Sequence, residues 1–250
     1  HETSKSYLRD YINKIYGAGQ EDLYNKFYAL ISLHEMYLDD GDVKEALDLA
    51  KNALRVLNLM DSDGSFLGAR ITLQQFIAKD YIQLGDFKKA SKYFALLDDS
   101  INIKFSEEYR QEYSRDTTIT DSVDIIWRDI IGAIIKINNG SIDEGFDELS
   151  NTLDEVNEAD IPLRRHDLDL ALIPLGFFTQ NGHYDKAGAL MSKVIDLYQQ
   201  GVEKRINYDS VITSDEKNKI RDAISEYVYI SSLGSRPLDL SLIHISEPTR

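Results

Sequence analysis

One turn phrase occurs four times along the chain and constrains the fold more than any other feature. In each copy a glycine closes a run with helical periodicity. The four glycines are Gly41, Gly85, Gly140 and Gly182. Two positions later comes an apolar residue: Val43, Phe87, Ile142 or Tyr184. Five positions later comes a small residue: Ala46, Ala90, Gly145 or Ala187. Because glycine adopts the left-handed backbone that ends helices, the phrase predicts four pairs of closely packed helices.

The segments between the turns have the apolar spacing of amphipathic helices. Before the first turn, steps of three and four residues place several large apolar side chains on one helical face: Leu23, Phe27, Leu30, Leu33 and Tyr37. Glycine and proline are sparse, with 14 and 4 copies in 250 residues. Few helix breakers favour an all-α fold with long helices. Pro174 lies inside one of them and is expected to kink it.

The turn phrase resembles the turn between the two helices of a tetratricopeptide repeat. That family places a large residue four positions before the glycine, where this chain has Tyr37, Tyr81 and Phe178, but Lys136 in the third copy. The copy around Gly85 matches best. The resemblance implies an α-solenoid of antiparallel helix pairs wound into a right-handed superhelix, and a compact helical bundle is the alternative.

The turn spacing suggests the domain organisation. We expect an N-terminal helix in residues 1–20 and a repeat array in residues 21–233. The array would contain the following units and a terminal helix: 27–60, 71–104, 126–159, 168–201 and 214–230. The turn glycines are 44, 55 and 42 residues apart, against a family period of about 34. The helices are therefore longer than usual, or connectors are inserted.

Residues 234–250 differ abruptly from the rest in composition. Pro237 and Pro248, two of the chain's four prolines, fall here, and no helical period continues into the segment. The segment resembles a translated sequencing adapter, and we expect it to be a non-native, disordered tail. The chain also begins at His1 without an initiator methionine or a signal peptide. We therefore expect it to be a fragment or a processed form of a longer protein.

Charge restricts the classes of partner. The formal net charge is −15, so the surface should repel phosphate backbones and anionic lipid headgroups. We expect no direct nucleic-acid contact, and no apolar run is long enough to span a bilayer. The absence of cysteine excludes disulfides and thiolate metal sites but does not fix the compartment. Cytoplasm is favoured, and an extracytoplasmic sensor domain stays open.

The sequence lacks the residue patterns of an enzyme. No two histidines have the spacing of a helical metal motif, and no nucleophile elbow, phosphate loop or kinase signature occurs. His34 is expected to be a packing residue. We therefore predict a chain without catalytic residues, metal or cofactor.

The resemblance to the tetratricopeptide family implies a groove lined by the first helix of each pair. The family's groove positions correspond here to Tyr28, Ile31, Glu35, Thr72, Gln75, Lys79 and Gln83. The lysine and asparagine clamp of the chaperone-binding subtype is absent. The groove should therefore bind a protein or peptide other than a chaperone tail.

Long-helix variants of this repeat resemble the sensor arrays of bacterial signalling proteins. We therefore expect a binding scaffold that forms the sensor or interaction part of a larger regulatory protein. A free-standing adaptor for complex assembly is the alternative. An enzyme on a helical scaffold is the third hypothesis.

Overall fold

All the regular secondary structure that the computed structural model describes is α-helical, over residues 2–15, 19–61, 65–109, 119–158 and 165–208. The helices in chain order are α1 (Glu2–Lys14), α2 (Gln20–Asp39), α3 (Val43–Met60), α4 (Leu67–Gln83), α5 (Phe87–Phe105), α6 (Ile119–Asn138), α7 (Ile142–Glu158), α8 (Arg165–Gln180) and α9 (Tyr184–Tyr208). The all-α prediction is confirmed. The expected terminal helix at 214–230 and the tail at 234–250 lie outside the described residues.

Neighbouring helices pack in pairs within two compact units, His1–Glu148 and Leu149–Arg250. In the first unit α2 packs against α3, and α4 packs against α5. The pairs are joined because α3 contacts α4, while α6 contacts both α4 and α5. In the second unit α8 packs against α9. Pairing lets each amphipathic helix bury its apolar stripe.

The four predicted turns share one backbone geometry. Their glycines have φ angles of 79°, 74°, 96° and 79°, which confirms the left-handed conformation. The amide of the residue after each glycine donates to the carbonyl of the residue four positions before that glycine. In the first two turns these bonds are Asp42 N to Tyr37 O at 2.8 Å and Asp86 N to Tyr81 O at 2.9 Å. This bond satisfies a carbonyl that the helix end would otherwise leave without a partner.

Small side chains allow the close helix approach that the turn phrase predicts. Ala46 and Ala90, each five positions after a turn glycine, are fully buried. An apolar cluster from α2, α3 and α4 forms toward the end of the first pair that lies away from its turn: Phe27, Leu30, Ala53, Val56, Leu57, Met60 and Leu73. Leu73 belongs to the next helix pair, so the core continues from the first pair into the second.

Helix α1 is attached to the end of α2 by its basic side chains. Lys5 is buried, pairs with the carboxylate of Asp40, and has its ammonium 4.1 Å from the Tyr37 ring centroid. The Arg9 guanidinium lies 5.0 Å from the same ring. Cations are favoured at a helix C-terminus because the backbone carbonyls there carry partial negative charge. The contact therefore combines electrostatics with aromatic packing.

Lys136, which departs from the repeat pattern, has partners on the following helix. Its Nζ donates to Glu144 Oε1 at 2.8 Å and to Glu148 Oε1 at 2.5 Å. The hydrogen bond to Glu144, followed by that to Glu148, raises the pKa of Lys136 above its ordinary value. Ion pairing thus links α6 to α7 where the other copies have a large aromatic residue.

The second unit contains a comparable polar link. Lys193 of α9 donates to the backbone carbonyl of Ser150 at 3.2 Å and pairs with Asp154, both on α7. Pro174 is buried inside α8, which continues through it. The predicted kink at this proline stays a prediction.

Gly145 is required by the close approach of α6 and α7. A Cβ atom added there would lie 2.8 Å from the Ala133 carbonyl oxygen and 2.9 Å from the Ile137 amide nitrogen. These are backbone atoms, so α6 or α7 would have to shift. We expect Gly145→Ala to destabilise the chain by about 1–3 kcal/mol in urea unfolding followed by circular dichroism.

Gly188→Ala is the matched control, because an added Cβ there meets nothing within 4 Å. Gly188 lies exposed inside α9, so alanine should stabilise the helix by about 0.5–1 kcal/mol. If Gly145→Ala stabilised the chain as much as Gly188→Ala, α6 and α7 would not approach each other closely at Gly145.

Candidate functional site

Polar side chains on the first helices of successive pairs meet inside the first unit. His34 of α2 and Asp80 of α4 are both buried, with Nε2 and Oδ2 3.1 Å apart. The imidazole stacks on Phe76 with a centroid distance of 4.6 Å. The expectation that His34 is a packing residue is confirmed, and it also makes a polar contact between the first two pairs.

A second buried polar contact centres on Asp124 of α6. Lys104 Nζ of α5 lies 2.7 Å from Asp124 Oδ2, and the Gln75 amide of α4 donates to Oδ1 at 3.2 Å. All three side chains are more than nine-tenths buried. We call Gln75, Lys104 and Asp124 the Asp124 cluster. A buried charge requires such partners because water no longer solvates it.

The chain's single tryptophan lies next to this cluster. The Lys79 ammonium of α4 is 3.9 Å from the centroid of the Trp127 ring on α6, and both side chains are buried. A cation over an aromatic face is stabilised by the ring's quadrupole, more strongly when water is excluded. Lys79 and Gln75 therefore both face α6.

The structure places the predicted groove residues of α4 in different surroundings from those of α2. Gln75 and Lys79 are buried in the contacts with α6, while Thr72 and Gln83 are half-buried. The Thr72 hydroxyl donates to the Gly68 carbonyl at 3.1 Å within its own helix. Gln75 and Lys79 thus offer little side-chain surface to a partner in this conformation, whereas Thr72 and Gln83 are as accessible as half-buried residues elsewhere.

The predicted groove residues of α2 are more accessible. Tyr28 is 50% exposed, and Ile31 and Glu35 are half-buried. Tyr24, which the sequence reasoning missed, is 46% exposed and lies beside Tyr28, with ring centroids 4.6 Å apart. The four-residue spacing of two tyrosines on one helix was the signal that could have found it.

The tyrosine pair is ordered by its own contacts. The two hydroxyl oxygens are 3.2 Å apart, and this hydrogen bond raises the pKa of Tyr28 above its ordinary value. The Tyr28 ring also meets the buried Phe27 ring edge to face at 5.3 Å. With Glu21 these residues form the α2 stripe, whose three- and four-residue steps place it on one helical face: Glu21, Tyr24, Tyr28, Ile31 and Glu35.

The described residues include no group of three or more His, Asp or Glu side chains placed to hold a metal ion. His183 is half-buried in the last turn, with its ring edge-on to Phe178 at 6.4 Å. Within the same described ranges, no helix has an apolar stretch long enough to cross a membrane.

Comparison of the chain with protein-family models, curated proteins and solved structures gives no significant match.

Proposed function

We propose that the chain is a tetratricopeptide-like scaffold that binds a protein or peptide through the first helices of its pairs. The observation that carries the proposal is the accessible Tyr24–Tyr28 pair on α2. Tyrosine is enriched in protein interfaces because it combines a large apolar ring with a polar tip. Half-exposed tyrosines held side by side are already ordered, so binding costs less conformational entropy.

The repeat part of the proposal is supported by the recurrence of one turn. All four turn glycines have positive φ, and each turn closes with the same backbone hydrogen bond. Within the first unit, α4 contacts α6, and His34 of α2 contacts Asp80 of α4. First helices that pack on one another in chain order are what a solenoid requires.

The wider role follows from the resemblance alone. We propose that the scaffold is the sensor or interaction part of a larger bacterial signalling protein, because repeats with long helices resemble those arrays. Sequencing the uninterrupted gene tests this role. A signalling output domain in the same reading frame is the expected result, and an isolated reading frame would contradict it.

Selection from an unbiased peptide display library tests the binding function. The immobilised chain is compared with the double variant Tyr24→Ser/Tyr28→Ser. We expect the chain to enrich peptides that the variant does not retain. Tyr184→Ser is the matched control, because Tyr184 is 65% exposed on α9. Enrichment of the same peptides by the chain and by the double variant would contradict binding at the α2 stripe, and no enrichment at all would contradict the scaffold function.

A further inference from the structure

The chain places its own cations on several of its aromatic rings. Lys5 and Arg9 lie over Tyr37, and Lys79 lies over Trp127. Tyr81 is approached by Lys51 at 5.0 Å and by Lys89 at 5.3 Å. These contacts lie at helix ends or between helices, where the cation stabilises the packing of one helix on another. Tyr37, Tyr81 and Trp127 thus each have a basic partner within the chain.

The α2 stripe differs from those rings because it has no such cation. Among the described residues, no lysine or arginine lies over the Tyr24 or Tyr28 ring. The nearest basic residue in the sequence, Lys26, is two positions from each tyrosine and so projects from another side of the helix. The two tyrosines are 46% and 50% exposed, so a cation from solution can reach them.

The charge around the stripe has the sign that attracts a cation. Glu21 is exposed one helical turn before Tyr24, and Asp22 is exposed beside it. Residues three apart on a helix are neighbours, so a cation over Tyr24 also approaches the Glu21 carboxylate. The chain's net charge of −15 adds a long-range attraction for basic partners and repels a second copy of itself.

We propose that the α2 stripe binds a basic peptide segment of another protein. The arginine or lysine side chains of the peptide stack on Tyr24 and Tyr28 and pair with Glu21, while an apolar side chain of the peptide contacts Ile31. This inference rests on the proposed binding function and adds the chemistry of the partner. Arginine fits best, because its planar guanidinium stacks on a ring and still donates hydrogen bonds to a carboxylate.

Binding of three peptide pools to the full chain tests the inference. The pools share length and randomised apolar positions, and their remaining positions carry only arginine, only glutamine or only glutamate. Fluorescence anisotropy at low salt gives the affinity of each pool. We expect the arginine pool to bind, to weaken as salt is added, and to exceed the other two pools.

Variants locate the site. Tyr24→Leu/Tyr28→Leu keeps apolar side chains but removes the rings, and should weaken binding of the arginine pool by about five- to thirtyfold. Glu21→Gln should weaken it less and reduce its salt dependence. Tyr184→Leu, which removes an exposed tyrosine on α9, should leave binding unchanged.

Several outcomes would overturn the basic-peptide assignment. These are equal binding of the arginine, glutamine and glutamate pools, an equal loss in Tyr184→Leu, or no binding of any pool. Self-association abolished by Tyr24→Leu/Tyr28→Leu would assign the stripe to a second copy instead. The arginine pool could fail to bind while the unbiased library still yields peptides that Tyr24→Ser/Tyr28→Ser does not retain. This inference would then fail and the proposed function would stand.

Discussion

Asp124→Ala is expected to destabilise the chain by about 3–5 kcal/mol, the usual cost of removing one partner from a buried ion pair. The substitution removes the carboxylate whose Oδ2 lies 2.7 Å from the buried Lys104 ammonium and whose Oδ1 accepts from the Gln75 amide at 3.2 Å. The Gln75 amide keeps only its longer hydrogen bond to the Asp124 backbone carbonyl, at 3.4 Å. Both groups lose protein contacts that water cannot replace at this depth. Urea unfolding followed by Trp127 fluorescence measures the loss, because the chain has one tryptophan and it lies on the same helix.

Asp98→Ala is the matched control for this prediction. Asp98 of α5 also pairs with a basic side chain of α6, because its Oδ1 is 3.9 Å from the Arg128 guanidinium. The Asp98 side chain, however, is 43% exposed. An exposed pair contributes about 0–1 kcal/mol, so little stability should be lost. Equal losses in the two variants would show that Asp124 is not buried between α4, α5 and α6.

Asp80→Leu is expected to cost about 3 kcal/mol, because it removes the hydrogen-bond partner of the fully buried His34. The other ring nitrogen, Nδ1, has no hydrogen-bond partner among the described residues. The single variant therefore leaves the imidazole without a polar contact. Thermal and urea unfolding of the variant give the loss.

A double-mutant cycle with His34→Leu isolates this contact. Replacing both partners by apolar residues removes the need for a buried hydrogen bond. The double variant should therefore lose less free energy of unfolding than the sum of the losses in the two single variants. The coupling should be about 0.5–3 kcal/mol. Strictly additive losses would mean that α2 and α4 do not meet at His34 and Asp80.

The turns could be predicted because their chemistry is local. A glycine, a polar residue and an apolar residue within a few positions determine the backbone there, and the observed φ of Gly85 is 74°. The small residue that follows each turn was predicted for the same reason, and Gly145 lies where α6 and α7 touch. A single sequence contains all of this information.

The buried polar contacts could not be predicted, because their partners are far apart in the chain. Gln75 and Asp124 are 49 residues apart, and His34 and Asp80 are 46 apart. Gln75 and Lys79 were assigned to a groove from the resemblance to the repeat family, and polar residues on a helix usually do face water. No local pattern marks their contact with α6.

The candidate site was predicted in part. Tyr28, Ile31 and Glu35 were assigned from the resemblance, and they lie on an accessible face of α2. Tyr24 was missed because the groove positions were taken from a repeat unit that starts near residue 27, whereas α2 begins at Gln20. The additional turns of helix add the second tyrosine and Glu21 to the stripe.

Site-directed photo-cross-linking of a selected peptide tests the central claim, that the α2 stripe is the binding surface. The chain has no cysteine, so a single cysteine can be introduced and labelled without background. Labels are placed at Ile31→Cys, within the stripe, and at Leu59→Cys, which replaces an exposed leucine on α3. We expect peptide cross-links at position 31 and none at position 59. Cross-linking at position 59 that equals or exceeds that at position 31 would contradict it.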